Sequence, residues 1–244
     1  MRAHRIGAAI AVLVVLCAGL SWGQGWDLAD IWGAEDVRQA PVTSWFGTSG
    51  LVVVPTAEVL GYRDVQAHFT AVDDEDLDWQ YVWGANTSPL PGLEVGATML
   101  DDAYTPKEMD SELVFQAKYQ LDLQEFLGLS ADFPMVAVGG RDLADDVNRA
   151  FYVTFTKELT ATRESESAVR VTVGLGDTEI GGAPLDGLFA GVDLTPFEFS
   201  RLQMEHDGEN FNAALRYWWS EWAITEIGVV DGQPGFTATL SSAF

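Results

Sequence analysis

Apolar and polar residues alternate with a period of two along most of this chain. Leu77, Trp79, Tyr81 and Trp83 share one face, with Asp76, Asp78 and Gln80 on the other. The same phase returns at Val65, Ala67, Phe69 and Ala71, at Leu93, Val95, Ala97 and Met99, and at Leu113, Phe115, Ala117, Tyr119 and Leu121. Phe151, Val153 and Phe155 alternate with Tyr152, Thr154 and Thr156, and Val169, Val171, Val173 and Leu175 alternate with Arg170, Thr172 and Gly174. Toward the C-terminus, Phe211, Ala213, Leu215, Tyr217 and Trp219 oppose Asn212, Ala214 and Arg216. Successive side chains of a strand point to opposite sides, so each stretch predicts a β-strand with one apolar face.

Other segments are less regular. In "FEFSRLQMEH" the apolar phase moves from Phe197 and Phe199 to Leu202 and Met204, which predicts a bulge. Around Val136, Leu188 and Ile224 both faces are apolar. With turn signals such as "DGEN" and "DGQPG" between them, the pattern predicts about twelve antiparallel strands in a single all-β domain. "DLQEFLGLSADFP" has Leu123, Phe126 and Leu127 at helical spacing and predicts one short helix or structured loop. "GTSGLVVVPTAEVL" (47–60) breaks the rhythm. Its apolar run from Leu51 to Val54 is too short to span a bilayer, and Pro55 has no N–H to give a ladder. The stretch either lies across or inside a barrel mouth as an entry or plug motif, or begins the first strand before a kink.

Twelve strands close into a barrel or fold into a two-sheet sandwich, and periodicity alone does not choose. The chemistry of the faces favours the barrel. The polar faces are thin and mixed with Gly, Ala and Tyr, charge concentrates in turns, and Trp79, Trp83, Tyr217 and Trp219 stand near strand ends. Aromatic residues gather where a barrel wall meets lipid headgroups. The terminal "GFTATLSSAF" places Phe236, Ala238, Leu240 and Phe244 on one face, an arrangement found in the last strand of outer-membrane barrels. The fold expected is an antiparallel transmembrane β-barrel in contact with outer-membrane lipid.

The first residues fit export. Arg2 and Arg5 precede an apolar stretch from Ile6 to Leu20, and Ser21-Trp22-Gly23 offers a cleavage site, so residues 1–23 read as a signal peptide. A lipoprotein reading through Cys17 is weaker, because Leu16 stands where a small residue is expected. Residues 24–46 form an N-terminal segment and 47–244 the barrel domain. Loss of residues 1–23 removes two arginines, no acid and the single cysteine, leaving 11 basic against 37 acidic side chains and a net charge of −26. Disulfides and Cys-bound zinc are thereby excluded, and the acidity argues against nucleic acid as a partner.

No catalytic, cofactor or metal motif emerges. The paired acids Asp73–Asp74, Asp101–Asp102 and Asp145–Asp146 lack the spacing of a calcium loop, and His68 and His206 are too isolated to form a metal site. His68 lies on a polar strand face, where a barrel hydrolase would keep its base, yet no serine-centred motif accompanies it. The glycines of "VGLGDTEIGG" lack phosphate-loop spacing. If the apolar faces meet lipid, Asp78, Gln80, Arg170, Asn212 and Arg216 face the lumen. Amide, carboxylate and guanidinium groups of this kind either line a passage for a sugar chain or fill a small lumen with a polar network, and the second reading is preferred.

"GTSGLVVVPTAEVL" resembles the entry signature of YjbH-type outer-membrane proteins. The resemblance continues through "AKYQL", "MVAVGGRDL", "VTVGLG", "PLDGLFAGVDLTPFE" and "LQMEHDGENFNAALRYWW". It implies a non-enzymatic barrel of the outer membrane, serving exopolysaccharide or capsule secretion or envelope structure, with polysaccharide and other secretion proteins as partners and no cofactor. The chain is short beside larger members, so the extra domains some of them carry are absent. A passive porin-like channel and a soluble periplasmic glycan-binding β-sandwich are the alternatives.

Overall fold

The computed structural model describes residues 41–74, 78–101, 111–123, 126, 128, 133–145, 147, 149–160, 168–178, 184–197 and 199–242. Among these residues the alternating stretches form twelve strands. They are β1 (Val65–Asp74), β2 (Asp78–Leu90), β3 (Leu93–Asp101), β4 (Ser111–Leu121), β5 (Met135–Arg141) and β6 (Ala150–Thr160), followed by β7 (Ala168–Thr178), β8 (Gly187–Phe197), β9 (Ser200–His206), β10 (Phe211–Trp218), β11 (Ala223–Val230) and β12 (Gln233–Ser242). Each pairs antiparallel with its sequence neighbours, and β12 returns to β1 in a register running from Val65↔Ser242 to Val72↔Gly235. Closure leaves no strand edge with unpaired backbone groups, which is the condition for crossing hydrocarbon.

The faces of this wall are inverted relative to a soluble protein. Phe69, Trp79, Tyr81, Trp83, Phe115, Phe155, Leu175 and Leu240 are exposed on the outside, whereas the alternating Thr70, Gln80, Gln116, Thr154, Thr172 and Thr239 are buried inside. Trp83 is 55% exposed and Gln116 2%. An apolar exterior around a hydrogen-bonding interior suits acyl chains and excludes a water-facing sandwich, so the fold is a transmembrane β-barrel. Val65 and Ser242 lie at one end of the barrel, called here the terminal end; the β11–β12 turn lies at the far end. Aromatic residues pair near both rims: Trp79 with Phe236 at the far end (6.2 Å between ring centroids), and Tyr217 with Trp219 at the terminal end (4.7 Å).

Two details add to or differ from the sequence reading. The phase shift in "FEFSRLQMEH" coincides with a register irregularity between Leu194 and Phe197, in keeping with the predicted bulge, and beside it lies a chain reversal that was not foreseen, β8 stopping at Phe197 and β9 restarting at Ser200. The reversal itself keeps the phase, since Val192 pairs with Met204 and Leu194 with Leu202; the one-residue irregularity, beyond which Phe197 pairs with Ser200, is what shifts it. Charge is also not confined to turns, because Glu94, Lys118, Arg170, Asp193, Arg201, Glu205, Arg216 and Glu226 are buried within strands. The proposed helix at 122–134 lies largely outside the described residues, as do Phe244 and residues 1–40. The "DG" of the last hairpin reads directly. Asp231 and Gly232 both have positive φ (49° and 78°), as a two-residue turn matched to the strand twist requires.

An eight-stranded barrel is filled by its own side chains, whereas twelve strands leave room for more. That room is taken by residues 41–60. Isolated bridges Thr43↔Ser49 and Gly50↔Pro55 fold the segment on itself, supported by Trp45 N–H to Val52 O (2.8 Å) and Leu51 N–H to Val54 O (2.9 Å). It leaves through the terminal end, where Arg63 N–H donates to Ser88 O and Ser88 N–H to Asp64 O before β1 begins.

Candidate functional site: the occupied lumen

The wall grips the 41–60 segment chiefly through its backbone. Glu205 on β9 accepts the consecutive N–H groups of Val52 (3.0 Å), Val53 (2.7 Å) and Val54 (3.1 Å). Three adjacent N–H groups that have turned away from a ladder form a concave anion site, and a carboxylate fills it. Asn212 on β10 steadies that carboxylate, its Nδ2 donating to Glu205 Oε1 and Asp207 Oδ2 at 3.0 Å each.

Opposite polarity serves the next turn of the segment. Arg216 on β10 donates to Gly50 O and Leu51 O (3.1 Å each) and to Glu226 Oε2 on β11 (2.5 Å), while Glu226 accepts the indole N–H of Trp45. A third grip is a buried acid–base pair on β3 and β4. Glu94 accepts Ser49 N–H (2.7 Å), Ser49 Oγ–H (2.5 Å) and Leu60 N–H (3.2 Å), and Lys118 donates to Ser49 O (2.6 Å) and Thr56 O (3.1 Å), with Nζ 3.8 Å from Glu94. Glu94 and Lys118 are fully enclosed, so each is the other's main counter-charge. Smaller contacts complete the ring. Asn86 reaches Gly47 O (2.6 Å), Thr154 reaches Pro55 O (3.0 Å), Thr156 accepts Ala57 N–H (2.8 Å), Gln66 accepts Thr43 N–H (3.0 Å), and Arg170 pairs with Glu58.

The bore changes character along its axis. Toward the far end Val72, Val82, Leu100, Val114, Ala214 and Val230 form an apolar collar, and Trp45, Phe46, Val52 and Val53 of the segment are packed into it. Arg141 lies over the Phe46 ring (5.4 Å). Beyond Phe46 and Val53 is a cavity of about 250 Å³, bordered by Asp142, Asp207, Glu209 and Asp231. Toward the terminal end the wall is polar. Leu51 enters the wall where β8 has Gly191; any Cβ at that position would occupy the space of the Leu51 side chain, which fixes glycine there.

Of the residues singled out by sequence, Arg170, Asn212 and Arg216 are buried in the lumen, Arg170 and Arg216 on the segment itself and Asn212 on the carboxylate that holds it. Gln80 is buried on the inner face of β2, across from Val72 of the apolar collar. Asp78 opens β2, and its side chain lies outside the described residues. Glu94, Lys118, Glu205 and Glu226 were not foreseen. Each occupies the polar parity of its strand, Glu94 and Lys118 between two apolar neighbours and Glu205 and Glu226 beside one, and a charge placed in that phase is the signal. His68 is buried on β1 between Gly84 and Thr239, cross-strand partners that supply neither an acid nor a serine.

No family model matches the chain, and no curated protein matches it. Among solved structures it is similar in shape to the KdgM porin in complex with disordered oligogalacturonate, at 11% identity, with 74% of this chain and 99% of that chain covered and a TM-score of 0.45. It is also similar to an outer membrane channel from Pseudomonas putida F1, at 9% identity, with 77% and 98% covered and a TM-score of 0.38.

Proposed function

We propose that this protein is a non-enzymatic outer-membrane channel of the porin type, held closed in its ground state by residues 41–60. One observation carries the reading. Nearly every strand presents an amide, hydroxyl, carboxylate or guanidinium to the bore, and these groups hold backbone atoms that water replaces readily once the segment leaves. A barrel serving only as an anchor has no need of a hydrophilic wall around its filling. The apolar collar around Trp45, Phe46, Val52 and Val53 supplies the seal, since a dry constriction stops ions even where polar groups lie below it.

Planar-bilayer recording tests this. The full chain is expected to be silent, and a variant lacking residues 41–60 to conduct. Because that deletion removes much of the core, Glu205→Ala serves as a second variant, with intermittent openings expected. Silence in both folded variants overturns the proposal.

A role in polysaccharide secretion is the second reading, favoured by where the stretches resembling YjbH-type proteins come together. Residues 47–60 form most of the occupying segment, while "PLDGLFAGVDLTPFE" and "LQMEHDGENFNAALRYWW" supply Gly191, Glu205, Asn212 and Arg216 that receive it. Deleting the chain in its host and measuring surface polysaccharide tests the role; an unchanged surface sinks it.

A further inference from the structure

We infer that the inner wall of β7–β10 near the terminal end is a binding subsite for a neutral, hydroxyl-rich ligand, a short stretch of uncharged saccharide. This rests on reading the bore as a passage and adds what the passage recognises.

The observation is a cluster of buried polar atoms without hydrogen-bond partners. Arg170 Nε, Asp193 Oδ1, both amide atoms of Gln203 and the Trp218 indole Nε1 are all in this condition. The residues are 0–7% exposed, so bulk water does not serve them. They are also neighbours: Arg170 stands across from Asp193, Asp193 across from Gln203, and Arg201, two residues before Gln203, lies over the Trp218 ring at 5.2 Å. Unmatched buried atoms occur elsewhere in the lumen too, at His68, Gln116 and Thr43, but on separate elements; on β7–β10 they stand on adjoining strands and form one patch of unused capacity. Native proteins rarely leave buried polar groups unmatched, and such a concentration marks a place where another molecule belongs.

Composition then selects the ligand. An inorganic anion needs donors alone, but this patch offers Arg170, Gln203 and Trp218 as donors together with Asp193 and Gln203 Oε1 as acceptors. Only a ligand that both gives and accepts hydrogen bonds at each position uses all of them, and a sugar hydroxyl does so. Charge points the same way. Arg170 and Arg201 are offset by Asp193, 3.7 and 3.6 Å away, and Arg170 also pairs with Glu58, so no net positive field remains to favour an acidic sugar. The Glu58 contact ties the subsite to the occupying segment: a saccharide entering from the terminal end competes with Glu58 for Arg170.

Titration calorimetry of the refolded full chain with maltotriose, in a zwitterionic detergent without a sugar headgroup, tests the subsite. Weak binding, roughly millimolar, is expected. Gln203→Leu, which keeps the volume and removes both amide atoms, is expected to weaken it about tenfold, the scale of one or two lost neutral hydrogen bonds. Trigalacturonate is expected to bind no tighter than maltotriose. Heat-modifiable migration on a gel verifies that the variant is folded. Absence of maltotriose binding, binding unchanged by Gln203→Leu, or tighter binding of trigalacturonate overturns the inference. Calorimetry needs no open pore, so a subsite failure is distinguishable from a failure of the channel reading, which the bilayer recordings measure.

Discussion

The carboxylate of Glu205 lies 2.7 Å from the backbone nitrogen of Val53, and its other oxygen serves the N–H groups of Val52 and Val54 on either side. One side chain of the wall thus holds three consecutive donors of a segment that has no ladder of its own. The occupying segment depends on such points, because its short bridges close few internal hydrogen bonds.

Glu205→Ala should therefore loosen residues 52–54 selectively. Each N–H left buried and unmatched costs about 1–3 kcal/mol, and water entering the vacated space recovers part of that. Hydrogen exchange at Val52, Val53 and Val54 should accelerate while exchange in β1 to β12 stays slow. Uniform acceleration across the wall would show instead that the carboxylate supports the barrel as a whole.

The Glu94–Lys118 pair makes a different prediction. Lys118→Met leaves Glu94 enclosed without its counter-charge, a change that typically costs about 3–5 kcal/mol. Replacing both residues, with Glu94→Leu added, should recover much of the loss in the wall while still freeing Ser49, whose N–H and hydroxyl bond to Glu94. Urea unfolding of the refolded barrels separates these outcomes. A double variant no more stable than Lys118→Met would remove charge burial as the cause.

These two contacts also mark how far the sequence could be read. Strand number, parity and the outward rings of Trp79, Trp83, Tyr217 and Trp219 were legible because a wall between two solvents prints its faces as strict alternation. The lumen was only half legible. Arg170, Asn212 and Arg216 stand in an obvious polar phase, and parity alone sends them inward. Glu205 and Glu94 follow the same parity, but their function is to hold Val53 and Ser49, residues 152 and 45 positions away in the chain. No local pattern encodes a contact at that separation. The run Leu51–Val54 announced itself as a poor spanning strand, yet its seat depends on Gly191, which in sequence is one glycine among 24.

Gly191 tests that seat by volume. Gly191→Val places side-chain atoms where Leu51 sits, so the segment must shift or leave. Bilayer recordings of Gly191→Val should show openings that the parent lacks. Adding Leu51→Ala should restore silence, since the smaller side chain vacates the contested space. Openings that persist in the double variant would locate the defect in the wall rather than at the contact.

The exterior offers the sharpest test of the membrane assignment. Phe115 is near the middle of β4 and 46% exposed, while Gln116 beside it faces the bore and is buried. If the outer face meets acyl chains, Phe115→Arg should cost about 2–4 kcal/mol of folding stability in lipid vesicles, the penalty for a guanidinium at the bilayer midplane. In a water-facing sheet the same exchange would cost little, because an exposed arginine is at home there. Phe115→Leu separates loss of the ring from introduction of charge and should fold nearly as well as the parent. Equal folding of the Arg and Leu variants in vesicles would refute lipid contact at this position, and with it the inverted facing on which the closed-channel proposal depends.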